Sequence, residues 1–265
     1  MLIDFHTHCF PDKLAPRALE LLSFASGGLR PTTDATVSGI RASMKEQGVA
    51  KSVVLSIATN AGQQKNVNDF AASINGDDIV AFGSVYPHSP DALSELERIK
   101  SLGLKGIKLH PEYQQFYTDD EKMKPLYKKI SELGLITVFH AGNDFGYRPP
   151  YHNMPENMAN ALKWFDSPVV AAHWGGVGAG EEVLNRLCGL DVYFDTSFGY
   201  GTMPKYVAEC IIEKHGTDKI LFGTDSPWHC AEWELRLLNS LGLSESDKEK
   251  IFSKNALGLL QDRTK

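Results

Sequence analysis

The sequence lacks the features that mark membrane, secreted or nucleic-acid-binding proteins. No run in its 265 residues approaches the roughly 18 consecutive apolar residues that a membrane-spanning helix needs. The four cysteines include no CxxC pair and are too few for a disulfide scaffold. The net charge of -6 gives no reason to expect nucleic acid or an anionic membrane as a partner. The first residues also lack the flanks of a signal peptide, so we expect a protein of the reducing cytoplasm that acts on a small molecule.

Apolar residues are abundant, and they form short runs that alternate with helical patterns. With 42% hydrophobic residues the chain can build a sizeable core, and we expect one domain over residues 1–265. Eight runs alternate with segments of helical periodicity, such as 90–102 and 121–133, which implies a parallel sheet with right-handed crossovers. We also expect a helix at 12–22, within the long loop 9–34, and a closing helix at 244–260. Eight such units predict an α/β fold of the (β/α)8 TIM-barrel type, and no glycine-rich phosphate turn follows the first run to favour an open doubly wound sheet. The runs are residues 2–5, 52–57, 79–85, 106–110, 135–141, 169–174, 192–197 and 220–225.

Histidines gather at one end of these predicted strands. Eight of the nine lie at or shortly after the C-terminal end of a run, the face on which such barrels carry their active sites. Asp4, His6 and His8 alternate along the first strand, and we expect all three to point inward to one place. Imidazole is the commonest metal ligand in proteins, so this clustering predicts a metal-binding face. The eight are His6, His8, His88, His110, His140, His152, His173 and His229.

Three later runs end in further candidate site residues, namely His140, His173 and Asp225. Asp225 ends the eighth run, which lies beside the first in a closed barrel, and a buried carboxylate is costly unless it pairs with a cation or a metal. Taken singly, either histidine could be an ordinary buried side chain. Together with the first strand they predict a mononuclear metal site.

The residues at these strand ends resemble the amidohydrolase superfamily. The resemblance is to the amidohydrolase-related branch, which includes aminocarboxymuconate-semialdehyde decarboxylase and several lactone hydrolases. It covers the whole chain and is specific for the superfamily but not for a substrate. The matching segments are residues 3–8 (IDFHTH), 106–111 (GIKLHP), 138–142 (VFHAG), 172–176 (AHWGG), 221–225 (LFGTD) and 255–260 (NALGLL).

The resemblance implies one divalent ion, usually zinc, held by His6, His8, His140 and Asp225. Asp225 would also act as general base and then general acid, and His173 would be the second catalytic residue, stabilising a developing oxyanion. The implied reaction is hydrolysis of an ester, lactone or amide bond of a small, carboxylate-bearing metabolite by a metal-activated water. Three imidazoles and one carboxylate suit that chemistry, because they leave a coordination position open.

Four residues are candidates for substrate contacts: Lys108, His110, Tyr113 and Arg148. The resemblance admits a carboxylated lysine that bridges two metals, or a lysine that contacts the substrate, and we favour one metal. The structural alternative for Lys108 is a barrel lysine paired with a carboxylate such as Asp4. Arg148 lies in the loop 143–155, which we expect on the active-site face of the barrel. It is flanked by tyrosines and suits a substrate carboxylate, although an exposed loop arginine without a ligand fits the sequence as well.

Other interpretations of the same residues stay open. Asp195 and Ser197 end the seventh run and are candidates for supports that orient the metal ligands. The alternative function is a lyase of the same fold, a metal-dependent non-oxidative decarboxylase of an unsaturated or aromatic acid. A non-enzymatic barrel with a vestigial metal site is a third reading. Metal identity and a homo-oligomeric state are not decided by the sequence.

Overall fold

The computed structural model describes residues 1–261 and contains eight parallel strands, one for each predicted run. Most of them end earlier than the apolar run that predicted them. The eighth strand, for example, is only two residues long, whereas the run continues to residue 225. The strands are β1 (Leu2–Thr7), β2 (Val49–Leu55), β3 (Ile79–Phe82), β4 (Gly106–Leu109), β5 (Ile136–Phe139), β6 (Val169–Ala171), β7 (Tyr193–Asp195) and β8 (Ile220–Leu221).

The strands close into a barrel. Continuous ladders join β1 to β2 to β3, and β4 through β8. A parallel bridge between Gly83 and Ile107 joins the two groups on one side. On the other side Thr7 bridges Ser226, and the Phe5 amide donates to the Phe222 carbonyl at 2.8 Å. The expected (β/α)8 barrel is confirmed, and its closure places the end of β8 beside the end of β1.

Helices follow the strands and pack their apolar faces on the barrel. The predicted segment 121–133 forms a 3-10 turn and then α6, and the predicted closing helix 244–260 is interrupted by a π-helical turn at Lys250–Lys254. No helix within residues 1–261 is both long and apolar enough to cross a membrane. The helices are α1 (Ala15–Ala25), α2 (Val37–Gln47), α3 (Gln64–Ile74), α4 (Ala92–Ser101), α5 (Pro111–Gln114), α6 (Lys124–Glu132), α7 (Pro155–Leu162), α8 (Gly180–Arg186), α9 (Lys205–His215), α10 (Ala231–Asn239), α11 (Glu245–Glu249) and α12 (Asn255–Leu260).

The apolar core has two layers separated by the barrel wall. Inside the barrel, alternate residues of the strands pack together, among them Ile3, Phe5 and Val138, and α12 contributes Leu259 to this cluster. The larger layer lies between the strands and the surrounding helices. A filled interior holds the strand ends in fixed positions, which is what a site assembled from several strands requires.

Candidate active site

The backbone bends sharply where β6, β7 and β8 end. His173, Trp174, Phe198 and Asp225 have φ of 60, 58, 56 and 70°, the left-handed region that residues other than glycine rarely adopt. Hydrogen bonds across the barrel rim hold these bends: the Asp225 amide donates to the His6 carbonyl at 2.8 Å, and the Trp174 amide donates to the Asp195 carbonyl at 2.7 Å. At these bends the side chains of His173 and Asp225 turn toward the barrel mouth, where both border the cavity described below.

A register shift in β1 separates Asp4 from the two histidines that follow it. Ile3 and Phe5 belong to the barrel interior, and the ladder to β2 is irregular between Asp4 and Thr7. Asp4 lies on the outer side of the strand, where with Met44 of α2 it lines a small void. The expectation that Asp4 shares the inward side with His6 and His8 is therefore wrong, because strict alternation along the strand stops at the irregularity.

Hydrogen bonds fix which nitrogen of each β1 histidine carries a proton. His6 Nδ1 donates to Asp195 Oδ2 at 2.8 Å, and His8 Nδ1 donates to the Leu55 carbonyl at 2.8 Å. A carboxylate and a carbonyl can only accept, so the proton of each neutral ring is on Nδ1. The Nε2 atom of each histidine is consequently unprotonated and presents a lone pair. The prediction that Asp195 orients a ligand agrees with this contact.

The two lone pairs meet a carboxylate oxygen at the mouth of the barrel. His6 Nε2 and His8 Nε2 are 3.2 Å apart, and Asp225 Oδ1 is 3.3 and 3.1 Å from them. Three acceptors without a proton between them repel one another, and a cation among them would offset that repulsion; Lys108 Nζ, 3.3 Å from His6 Nε2, does so in part. Tetrahedral zinc ligands at about 2.1 Å lie about 3.4 Å apart, so this donor set fits a divalent ion.

His140, the fourth predicted ligand, adjoins this group through His173. His140 Nε2 donates to the Asn143 carbonyl at 3.1 Å, and its Nδ1 lies 3.1 Å from His173 Nε2. The other ring nitrogen of His173, Nδ1, lies 2.8 Å from Ser197 Oγ. Burial lowers the pKa of both histidines well below the usual value, so both rings are neutral. The structure thus places three of the four predicted ligands within 3.3 Å of one another, with His140 and His173 beside them.

A second cluster of polar side chains surrounds His110. Its ring lies between Tyr113, stacked at 3.9 Å between centroids, and His140, stacked at 4.2 Å. His110 Nε2 lies 3.3 Å from Asp144 Oδ2. The sequence reasoning missed Asp144, although it follows His140 by four residues in a loop expected on the active face. His110, Tyr113 and Asp144 all border the cavity described below.

Lys108 points into the barrel next to the candidate ligands. Its Nζ lies 3.3 Å from His6 Nε2, and the residue is 1% exposed. Burial lowers the pKa of Lys108 from 10.5 to about 8, and the charges of Asp195 and Asp225 oppose that shift. The suggested pair with Asp4 is not formed: Asp4 Oδ2 accepts from the Thr224 hydroxyl at 2.6 Å, on the other side of the strand. Lys108 is therefore a cation of the site itself.

A cavity of about 550 Å3 opens above these residues. Its wall includes the candidate ligands together with Lys108, His110 and Tyr113, so three of the four predicted substrate contacts border it. Arg148 is exposed and lies outside the residues that line the cavity. It occupies the expected loop, but the loop turns it toward solvent. The neighbouring part of that loop contributes Phe145 to the cavity instead.

Comparison with known proteins gives the same family that the residues at the strand ends resemble. The family model described as amidohydrolase matches residues 3–261, which is nearly the whole chain. The chain belongs to the amidohydrolase family. This membership points to an enzyme, and the histidine and aspartate cluster of this amidohydrolase suits the divalent metals that its superfamily binds. Among curated proteins no significant match was found.

Solved structures share the barrel of this amidohydrolase at low sequence identity. An uncharacterised TIM-barrel protein from Bordetella bronchiseptica is 20% identical with a TM-score of 0.77, over 98% of both chains. The 2,6-dihydroxybenzoate decarboxylase from Rhizobium is 18% identical with a TM-score of 0.72, over 97% of this chain and 98% of that one. A candidate 2-pyrone-4,6-dicarboxylic acid hydrolase from Pseudomonas putida is 15% identical with a TM-score of 0.68, over 97% and 96%. These likenesses establish the fold, and the named activities differ among them.

Proposed function

We propose that this amidohydrolase is a metal-dependent hydrolase that cleaves an ester, lactone or amide bond of a small metabolite bearing a carboxylate. The observation that carries the proposal is the convergence of His6 Nε2, His8 Nε2 and Asp225 Oδ1 within 3.3 Å of one another. Zinc is the ion we propose, because two imidazoles and a carboxylate at these separations match its preferred ligands and spacing.

The residues around that point divide the work of hydrolysis. A divalent ion bound there supplies a Lewis acid and makes water a nucleophile near neutral pH. Asp225 is a carboxylate beside the ion's place, so it can accept the proton of an attacking water and return it to the leaving group. His173 is neutral, and we assign to it a hydrogen bond to a carbonyl oxygen as negative charge develops there, in exchange for its present contact with His140 Nδ1. Lys108 adds positive charge beside His6 and favours an anionic substrate.

The second candidate is non-oxidative decarboxylation, and Lys108 favours it specifically. It is the only lysine or arginine among the cavity-lining residues of the described chain, and it lies next to the candidate ligands. A substrate carboxylate could pair with this lysine beside the candidate ligands. Asp225 or His173 would then deliver a proton to carbon in place of the lost carbon dioxide. The decarboxylase among the similar structures supports keeping this reaction in view.

One experiment separates the two reactions and tests the metal. The protein is stripped with a chelator, reloaded with zinc or manganese, and assayed on panels of lactones, esters, amides and unsaturated or aromatic acids. Hydrolysis incorporates oxygen from labelled water into the product, whereas decarboxylation releases carbon dioxide without doing so. We expect activity that disappears with the metal and returns with it. Turnover that is indifferent to stripping and reloading would refute the proposal.

The setting we propose for this enzyme is the cytoplasm. Cys9, Cys188, Cys210 and Cys230 are all free thiols, which suits a reducing compartment. Its partner in this proposal is the small-molecule substrate.

A further inference from the structure

One wall of the active-site cavity is apolar and is built mainly by α1 and the residues around it. Leu14, Ala18, Leu21 and Leu22 line the cavity, at the spacing i, i+4, i+7 and i+8 of a single helix face. Phe145 joins them from the loop after β5. These five side chains, which we call the α1 wall, carry no charge and no hydrogen-bonding group.

The α1 wall has little protein to pack against. Ala15 is the one buried residue of α1. Leu14 and Leu21 are each 57% exposed, and Phe145 is 55% exposed. An amphipathic helix on a barrel normally buries its apolar face, and exposed apolar patches of this kind mark binding sites. The face of α1 borders open cavity space instead.

The same cavity contains the candidate metal ligands. The α1 wall and the His6, His8 and Asp225 group line one continuous space of about 550 Å3. Cavities of about 300–1,000 Å3 hold ligands much larger than a single ring. From Leu14 to Leu21 the wall runs about 10 Å along the helix axis, a length that about eight carbon atoms of an extended chain would cover. The volume and the apolar wall therefore exceed what a small polar acid would fill.

We propose that the α1 wall is a subsite for an apolar alkyl or aryl-alkyl group of about eight carbons on the substrate. The substrate class is a monoacid, ester or lactone with a hydrophobic tail, whose reacting carbon lies at the His6, His8 and Asp225 group; that placement rests on the proposed function. Lys108 is the only lysine or arginine lining the cavity in the described chain, and it lies at the metal end. A second carboxylate at the far end of the tail would meet the α1 wall without a cation, so the subsite selects against dicarboxylates.

Binding of unreactive carboxylates tests the subsite without relying on turnover. The probes are butanoate, hexanoate, octanoate and octanedioate, titrated by calorimetry into both the metal-free and the zinc-loaded protein. We expect the dissociation constant to fall about threefold for each added methylene up to octanoate, since each buried methylene contributes hydrophobic free energy. Octanedioate should bind at least about tenfold more weakly than octanoate, because its second charge must be desolvated.

Two exposed residues of α1 give a matched pair of variants. Leu21→Ser shortens the α1 wall, whereas Phe24→Ser changes an 86% exposed residue of the same helix that does not line the cavity. We expect Leu21→Ser to weaken octanoate binding about tenfold with little change for butanoate, and Phe24→Ser to match the wild type. Equal effects of the two variants, or a dissociation constant independent of chain length, would overturn the proposal.

A second copy of the chain is the competing occupant, and sedimentation of the same variants detects it. A dimer that both Leu21→Ser and Phe24→Ser dissociate, with no chain-length dependence of binding, would overturn the subsite. A monomer with chain-length dependence supports it. Failure of the proposed reaction is distinguishable, because it would appear as absent turnover while the length dependence of binding persists in the metal-free protein.

Discussion

Asp195 decides whether His6 can act as a ligand. Its Oδ2 accepts from His6 Nδ1 at 2.8 Å, which leaves His6 Nε2 unprotonated toward the candidate metal. Its Oδ1 accepts from the amides of His173 and Ser197 at 3.0 and 3.1 Å, so the carboxylate cannot easily turn. In Asp195→Asn the oxygen stays with those two amides, and the new amide group faces His6 Nδ1 as a donor. His6 must then carry its proton on Nε2, where the ion should bind.

The expected loss follows from the value of that hydrogen bond. A hydrogen bond to a charged partner is worth about 1.5–3 kcal/mol, which corresponds to a change of about 10- to 100-fold in metal affinity. Burial raises the pKa of Asp195, but the hydrogen bonds from His6 and Ser197 oppose that effect and favour the ionised carboxylate. The native carboxylate is thus ionised near neutral pH, and the variant removes a full charge.

Competition with a chromophoric chelator measures the affinity for zinc, and circular dichroism checks the fold. Asp191→Asn is the matched control, because Asp191 is 95% exposed and pairs with Lys219 across the surface. We expect the control to bind zinc like the wild type. An Asp195→Asn protein that is folded and binds zinc with native affinity would refute the assignment of the His6 tautomer.

Three further predictions test other parts of the site. Asp225→Asn should stay folded and lose about 10²- to 10⁴-fold in kcat on the substrate found in the panel assay, because it removes the general base. Arg148→Ser should change kcat/KM less than about twofold, because Arg148 is exposed and outside the cavity; a larger loss would restore it as a substrate contact. Burial raises the pKa of Glu234 from 4.5 to about 7, so the folded state holds a proton there that the unfolded state has lost, and stability falls as pH rises between these values. The free energy of unfolding of Glu234→Gln, measured with urea, should therefore rise relative to that of the wild type by about 3 kcal/mol between pH 4.5 and 7.5. Parallel pH profiles of the two proteins would contradict this.

The fold could be predicted from the sequence because its signals are local and repeated. Apolar runs at regular spacing, each followed by a helical pattern, give strand–helix alternation directly, and eight repeats leave few alternatives to a closed barrel. The lengths of the strands could not be predicted in the same way. The apolar run continues through residue 225, but the ladder ends at Leu221 because the backbone leaves the extended conformation beyond it. The residue types of the run do not predict that bend.

Some residues of the site could be predicted from the sequence and others could not. His6, His8 and Asp225 were predictable because their residue types are rare in apolar runs and the barrel brings the strand ends together. The outward position of Asp4 was not predictable, because it depends on an irregularity in the β1 ladder. Nor was the α1 wall: the sequence predicted a helix at 12–22, but its lining of the cavity depends on how a long loop folds over the barrel mouth.

The left-handed conformation of Asp225 has a cost that a pair of substitutions can measure. At φ of 70° a side chain is strained by about 1–2 kcal/mol, and glycine would relieve that strain but could not supply a ligand. In the metal-free protein, Asp225→Gly should therefore be more stable than Asp225→Ala by about 1 kcal/mol, since both lack the carboxylate and only alanine keeps a Cβ. Urea unfolding in the presence of a chelator measures the difference. Equal stabilities would show that the bend is unstrained. A clear advantage for glycine would mean that the fold tolerates an unfavourable backbone at this position because aspartate there completes the donor set with His6 and His8.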